Sequence, residues 1–407
     1  MHARGFLLLA IVVSSQAQDR ALDRLLTGPE RSDLKWAVTV PQPVLSNFQR
    51  LFTRISIRVD GKEIARRNGK GEFRFIARFT GAAGDPHWTQ TRVDLENYRS
   101  ATASHELECS VQAFILPGDY RVSIAAIDPA SGEASVVHRT LHVAPLGNDP
   151  LPDAWKKMPP VEFIDVPEAP DRWFLPEERG QMFLPVQNEQ PVRIELLANV
   201  SPTEMSRRQG RAYGRSMDSI IPALKILSEM ELRNGSKNLS LIDVGRRRVS
   251  YEQRALKRVD WLAMKSALES DNPNKIDAES LRDRGQNAQF FIDQALRRTA
   301  ADGDLRPVLI VLTAPASFSS RQEMRPVERS KGLVFYLRFQ IVIPSAIIAN
   351  QQPLDRGGSI PEAAAMPRLL IDQLEHTLKP LQPHLFDIYT PADFRKALAA
   401  ILREIAR

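Results

Sequence analysis

Between Leu34 and about Pro145 the apolar residues fall on every second position, a pattern that a helix cannot use and a half-buried strand requires. In "LFTRISIRVDGKEI", Leu51, Thr53, Ile55, Ile57 and Val59 alternate with Phe52, Arg54, Ser56 and Arg58, and Asp60-Gly61 then supplies a hairpin-type turn. "EFRFIARF" places Phe73, Phe75, Ala77 and Phe79 on one face. Pro117-Gly118 opens "DYRVSIAAI", with Tyr120, Val122, Ile124 and Ala126 aligned, and "DPASGE" leads into "SVVHRTLHV". Turn signals at this spacing predict an antiparallel β-sandwich over 34–145.

From 146 to 190 the texture changes. Pro150, Pro152, Pro159, Pro160, Pro167, Pro170, Pro176 and Pro185 exclude regular helix, and Trp155 and Trp173 are unusual in a flexible linker. The segment reads as a proline-rich connector packed against its neighbours. From 191 to 407 near-continuous apolar runs follow: "VRIELL" (192–197), "LSLIDV" (239–244), "PVLIVLT" (307–313), "GLVFYLRF" (332–339) and "LFDIYT" (385–390). Met217, Ile220, Ile221, Leu224, Leu227 and Met230 recur at helical spacing between the first two, and "NAQFFIDQALRRTA" does so between the second and third. Such a pattern predicts a doubly wound, Rossmann-like α/β domain with a parallel sheet covered on both faces. In "TPADFRKALAAILREIAR", Thr390 suits an N-cap, Pro391 the first helical position, and Phe394, Leu398, Ile401, Leu402 and Ile405 form one stripe.

At the N-terminus, Arg4 precedes "FLLLAIVV" (6–13), and Ser15 and Ala17 are small residues placed for cleavage. Residues 1–17 are therefore expected to be a signal peptide, 18–33 an N-terminal linker, and the protein secreted or periplasmic. The apolar run is far shorter than the roughly 20 residues a spanning helix needs, so no membrane span is expected in the mature chain. Cys109 is the only cysteine, which excludes an internal disulfide. The formal charge of +6 is small for 407 residues, and Arg66–Arg67, Arg207–Arg208, Arg246–Arg248 and Arg297–Arg298 are scattered along the chain. A nucleic-acid partner is not expected from such a distribution.

The stretch most suggestive of a site is "VRIELLANVSPTEMS" (192–206), an apolar strand ending in Asn199, Ser201 and Thr203 at spacing two. In an open parallel sheet, ligands bind beyond the carboxyl ends of the strands. Residues 192–407 here resemble the von Willebrand factor A (vWA) domain, in the form found in secreted bacterial proteins, whose motif after the first strand is Asp-x-Ser-x-Ser. The resemblance implies a metal-ion-dependent adhesion site, in which Asn199 stands for the first acid, Ser201 matches, Thr203 replaces a serine, Gln286 lies near the later threonine, and Ala314 stands for the second acid. Magnesium is normally held by one or two carboxylates, so two neutral replacements imply a degenerate site with no metal and no cofactor. The protein-binding rim would comprise Asn199, Ser201, Thr203 and Asp243. Asp243 in "LIDVG" leaves open an alternative, a metal-dependent adhesin with displaced ligands.

Other motifs carry less. "HELEC" starts like a zinc-protease helix but has Cys109 where the second histidine belongs. His138 and His142 would stand roughly 13 Å apart in a strand, too far to share an ion. With no Gly-x-Ser-x-Gly elbow, P-loop or dinucleotide fingerprint, no catalytic residue is assigned. The expectation is an exported, non-enzymatic protein-interaction module, with an unrecognised hydrolase as the remaining alternative.

Overall fold

In the computed structural model of the chain, the described residues are 21–98, 105–164, 179–201, 214–270, 282–301, 303–316, 318, 320–327, 332–339 and 372–407. Among the described residues, ten strands build the N-terminal part: β1 Arg31–Ser32, β2 Trp36–Thr39, β3 Val44–Leu45, β4 Leu51–Val59, β5 Glu72–Gly81, β6 Pro86–Asp94, β7 Leu107–Ile115, β8 Gly118–Ile127, β9 Ala134–Val143 and β10 Val161–Ile164. They form two antiparallel sheets, ordered β1-β9-β8-β5-β6 and β10-β7-β4-β2, with β3 on β4. The inner faces meet through Ile55, Ile57 and Val59 of β4, Phe73, Phe75 and Phe79 of β5, and Val122 and Ile124 of β8, all fully buried. The outer face of the first sheet is also partly covered. Residues 21–27 are helical, and Leu22, Leu25 and Leu26 pack on Ile76, Ala125 and Val136.

The Asp60-Gly61 turn differs from the hairpin expected. Asp60 has φ −59° and ψ 137°, and its carboxylate accepts the Lys62 amide, capping a short helix, α1 Gly61–Ala65. A type I′ hairpin needs positive φ at both central residues, which this backbone lacks. The chain therefore crosses to the other sheet, where β5 pairs with β6 and β8.

The connector contributes a strand to each half. β10 pairs with β7, while β11 Leu184–Val186 runs parallel to β13 Met230–Leu232. Ala154, Trp155 and Met158 are buried in the same apolar core as β11 and β7. A node ties the halves together: the Trp155 indole donates to Gln49 O at 2.8 Å, and the Gln49 amide donates to Pro391 O at 2.9 Å. Arg395 lies over Trp155 and binds Asp149 through two hydrogen bonds of 2.6 and 2.8 Å.

The remaining strands are β12 Val192–Asn199, β14 Gly235–Asp243, β15 Arg248–Gln253, β16 Arg306–Thr313, β17 Leu333–Phe339 and β18 His384–Ile388. They form one sheet ordered β15-β14-β12-β16-β17-β18, in which, among the described residues, β15 alone pairs antiparallel. Beside them lie α2 Gly214–Ser228, α3 Trp261–Ser270, α4 Asn287–Thr299, α5 Gln373–Leu378 and α6 Pro391–Ala406. Gly235 permits the entry to β14: its φ is +135°, and a Cβ there would meet Val192 O at 2.0 Å.

The expected fold class needs correction. A sandwich followed by a doubly wound, Rossmann-like vWA-type α/β domain is not what the secondary structure amounts to: among the described residues strands outnumber helices, two of the four sheets are antiparallel throughout, and the vWA-type domain is not shown. The chain is predominantly β and resembles a β-sandwich. The difference has a physical reason: a continuous apolar run reports burial on both faces and says nothing about the connection that follows. After "LSLIDV" the chain turns back through Arg247, at φ +51°, into the antiparallel strand β15. The short strands β1, β2, β3, β10, β11 and β13 carry too few residues to show a period.

Candidate functional site

The carboxyl ends of β12, β14 and β16 lie side by side, and the strand order reverses at β12, where β14 departs to one side and β16 to the other. At this point a polar cluster replaces the apolar core. Asn199, the last residue of β12, is 3% exposed. Its amide nitrogen donates to the Thr313 hydroxyl at 3.2 Å, across to β16. Its oxygen accepts from the Ser201 amide at 3.1 Å, from the Ser201 hydroxyl at 2.8 Å and from the Val244 amide at 3.4 Å. One side chain thus joins three strands, acting as a donor toward one and an acceptor toward another. Asparagine can do this and an ionised aspartate cannot, since the carboxylate only accepts.

Ser201 is half-buried, and its hydroxyl also lies 2.9 Å from Asp243 Oδ1 and accepts the Gly245 amide at 2.9 Å. Asp243, 2% exposed at the end of β14, accepts the Arg246 amide at 3.0 Å, with the Arg246 guanidinium 3.9 Å from its second oxygen. The Thr313 hydroxyl donates to Ala314 O at 2.7 Å. Arg247 reaches from the same turn to Asp283 O at 3.0 Å and Asn287 Oδ1 at 3.1 Å, fixing the turn against the start of α4.

The sequence-predicted residues are thus brought together only in part. Asn199, Ser201 and Asp243 form one hydrogen-bonded unit. Ala314 is its neighbour through Thr313. Gln286 is exposed in the 3-10 turn before α4, and no hydrogen bond joins it to the cluster among the described residues. Thr203 and the signal segment 1–17 lie outside the described residues. Asn199 and Asp243 do not reach solvent, so a partner approaching this edge would meet Ser201 and the turn of residues 245–248. Among the described residues no group of three or more histidine, cysteine, aspartate or glutamate side chains is placed to hold a metal ion.

A second cluster, unforeseen from the sequence, joins β17 and the start of α5 to the loop after β16. The Asp372 side chain accepts the Tyr336 hydroxyl at 2.6 Å on one oxygen. On the other it accepts the Ala316 amide at 3.1 Å and the Leu374 amide at 3.2 Å, capping α5. Burial pushes the Asp372 carboxyl above its ordinary range despite these donors, and burial together with the Asp372 charge pushes the Tyr336 phenol well above its own. Arg338 joins Asp387 at 2.7 Å and also binds Glu375. Burial alone would lower its guanidinium, but these carboxylates hold it above the usual value. A tyrosine and an arginine inside the apolar run "LVFYLRF" were the available signal; the partner Asp372 is 36 residues away and carries none.

No family model and no curated protein matches the chain. Among solved structures, a glycosyl hydrolase family 2 member from Bacteroides cellulosilyticus DSM 14838 is 9% identical over 70% of this chain and 36% of that one, with a TM-score of 0.20. The Bacteroides uniformis beta-glucuronidase is 9% identical over 68% and 33%, with a TM-score of 0.19. The chain spans about a third of the length of these enzymes. Likeness at this level assigns neither a fold nor an activity. Among the described residues, no helix is long and apolar enough to cross a membrane.

Proposed function

We propose that the chain is an exported, non-enzymatic protein-interaction module whose partner docks at the carboxyl edge of the six-stranded sheet. The observation that supports this reading most is the closure of the polar cluster. The Asn199 amide, the Ser201 hydroxyl and the Asp243 carboxylate are engaged with one another and with the backbone of the 244–246 turn. A nucleophilic serine needs a base free to take its proton. Ser201 instead serves as a bridge between two strands, which favours a rigid platform over a reacting centre. Export is the contribution of the "FLLLAIVV" segment, and Gln18 is the expected first residue of the mature protein.

A photo-crosslinking amino acid at Gln286, beside the edge, should yield one discrete protein adduct in the native envelope or culture medium, and the same group at Lys70, on the sandwich, should not. Adduct formation should fall when Arg284→Glu is added. Hydrolysis of ester or peptide substrates that is abolished by Ser201→Ala would overturn the non-enzymatic reading. A second reading, the displaced metal site, draws on one observation: Asn199 Oδ1, Ser201 Oγ and Asp243 Oδ1 converge, with separations of 2.8 and 2.9 Å along the chain of contacts. Magnesium titration decides between the two, because a ligand that binds only the native state raises stability by RT ln(1 + [L]/Kd). A magnesium-dependent melting shift abolished by Asp243→Ala would establish the metal reading.

A further inference from the structure

The outer face of the first sandwich sheet is only partly covered by the 21–27 helix, and beyond the helix it forms an open groove of about 450 Å³ whose lining includes Thr80, Asp119, Arg121, His138 and Thr140. The pairing register fixes its floor. Thr80 stands opposite Arg121, and Arg121 opposite Thr140, so a guanidinium on β8 is flanked by a hydroxyl from each neighbouring strand. The adjacent row on the same face reads Trp88, Arg78, Ser123 and His138 across β6, β5, β8 and β9.

The second row is already committed to structure. Arg78 pairs with Asp23 at 2.6 Å, Ser123 is 2.9 Å from His138 Nδ1, and His138 Nε2 is 2.8 Å from Gly28 O, so the helix and its exit form one wall. The first row is uncommitted. Arg121 is exposed and, among the described residues, has neither an ion-pair nor a hydrogen-bond partner. Asp119 also lines the groove, with one carboxylate oxygen 2.6 Å from His142 Nδ1, while Arg139 stands opposite the inward-facing Val122 and is held by Glu30 at 3.4 Å, which leaves Arg121 as the cation of this row. At the β6 end Trp88 is 50% exposed, an unusual exposure for an indole on a strand. From β9 to β6 the face spans three interstrand steps, roughly 14 Å.

We propose that this groove binds a carboxylate-bearing saccharide, a uronic-acid oligosaccharide, with Arg121 on the carboxylate, Thr80 and Thr140 on ring hydroxyls, and Trp88 under the apolar face of a sugar ring. The assignment follows from the combination. A guanidinium presents paired donors that match a carboxylate in two parallel bonds. Two hydroxyls beside it can donate and accept, as sugar hydroxyls require. A flat exposed indole offers burial to the C–H face of a pyranose while leaving its polar edge in water. A simple anion would use the arginine and leave the tryptophan idle. The groove is separate from the carboxyl edge, so its fate is independent of the partner proposed there.

Calorimetric titration of the full-length protein with an oligogalacturonate tests it, with a neutral glucan oligomer and inorganic phosphate as comparators. The expected result is saturable binding of the uronate alone, weakened at least about tenfold by Arg121→Ala and about fivefold by Trp88→Ala. Both side chains are exposed, so the variants should melt with the wild type. Absence of uronate binding at millimolar concentration overturns the proposal. So does binding that Arg121→Ala leaves intact, or binding that phosphate displaces and Trp88→Ala does not weaken, which would mark a plain anion site.

Discussion

Replacing Arg395 by methionine tests whether the two halves of the chain are held as one unit. The guanidinium is 2% exposed and makes hydrogen bonds of 2.6 and 2.8 Å to Asp149 and one of 2.9 Å to Leu151 O. Methionine fills much of the volume but leaves Asp149 facing an apolar neighbour. Removing one partner of a buried pair costs about 3–5 kcal/mol. Asp149 keeps the Leu151 amide at 2.9 Å and is slightly more accessible than Arg395, which places the expectation at the lower end, about 3 kcal/mol. The melting shift then reports cooperativity. At about 2.1 cal/mol/K per residue, a chain of roughly 400 residues unfolding as a whole should lose ~3–4 °C, and a half-chain unit about twice that. A double-mutant cycle with Asp149→Asn, read by urea unfolding, should show a coupling of about 2 kcal/mol. The pH dependence has a definite sign. Burial pushes the Asp149 carboxyl up, but hydrogen bonds from Arg395 and the Leu151 amide outweigh it and hold the group below its ordinary 3.8. Its contribution is therefore complete above that value and is lost as pH falls through the lower native value, so wild type and Arg395→Met should converge in strong acid. Additive single effects, or a loss below about 1 kcal/mol, would refute the claim that this node clamps the halves.

Burial pushes the Cys109 thiol up to about 11, so at pH 8 a thiol reagent should label the folded protein far more slowly than the protein in urea; equal rates would contradict the buried position. The Asp372 carboxyl is raised above 3.8, so the native state holds its proton more tightly than the unfolded chain, and stability should fall as pH rises from 3.8 through the native value. Asp372→Asn should flatten that slope in denaturant titrations across pH 3–7, and an unchanged slope would place the titration elsewhere. Asn199→Asp removes the donor to Thr313 and adds a charge close to Asp243, for an expected loss of about 2–3 kcal/mol at pH 7. Part of that loss should return at pH 5, where the new acid takes up a proton, whereas Asn199→Ala should show no such recovery.

Much of the fold was legible wherever a period ran long enough to be counted. Phe73, Phe75 and Phe79 share the inner face of β5, and the Phe394, Leu398, Ile401 and Ile405 stripe is the buried side of α6. Thr390 caps that helix with Asp393 in a reciprocal pair, and Pro391 occupies its first turn. Where a dipeptide had two physical uses, the sequence did not choose between them. Asp60-Gly61 can make a hairpin turn or an N-cap, and the choice fell to the Lys35–Asp60 ion pair and the crossing to the other sheet. The overall class is hidden in the sequence for a related reason. Burial on both faces of β12 and β16 was visible, while the antiparallel return of β15 hangs on the turn at Arg247, which an apolar run does not announce, and the strands inside the connector depend on partners distant in sequence.

The cluster at the end of β12 shows why a site can be legible in its residues and illegible in its purpose. Measured against an Asp-x-Ser-x-Ser motif, Asn199 looks like a lost ligand. In its surroundings it is an amide used at both ends, donating to Thr313 and accepting from Ser201 and the Val244 amide. A carboxylate there would face the Thr313 oxygen, whose proton is already given to Ala314 O, and would share Ser201 with the buried Asp243. Two like charges bridged by a single hydroxyl raise each other's proton affinity, so one of them would have to be neutral for the strands to stay together. The neutral residue at 199 and the acid at 243 are therefore one arrangement. Position 199 can tolerate an acid only if position 243 gives up its charge or a cation is supplied, and Asn199→Asp combined with Asp243→Asn should accordingly be more stable than Asn199→Asp alone.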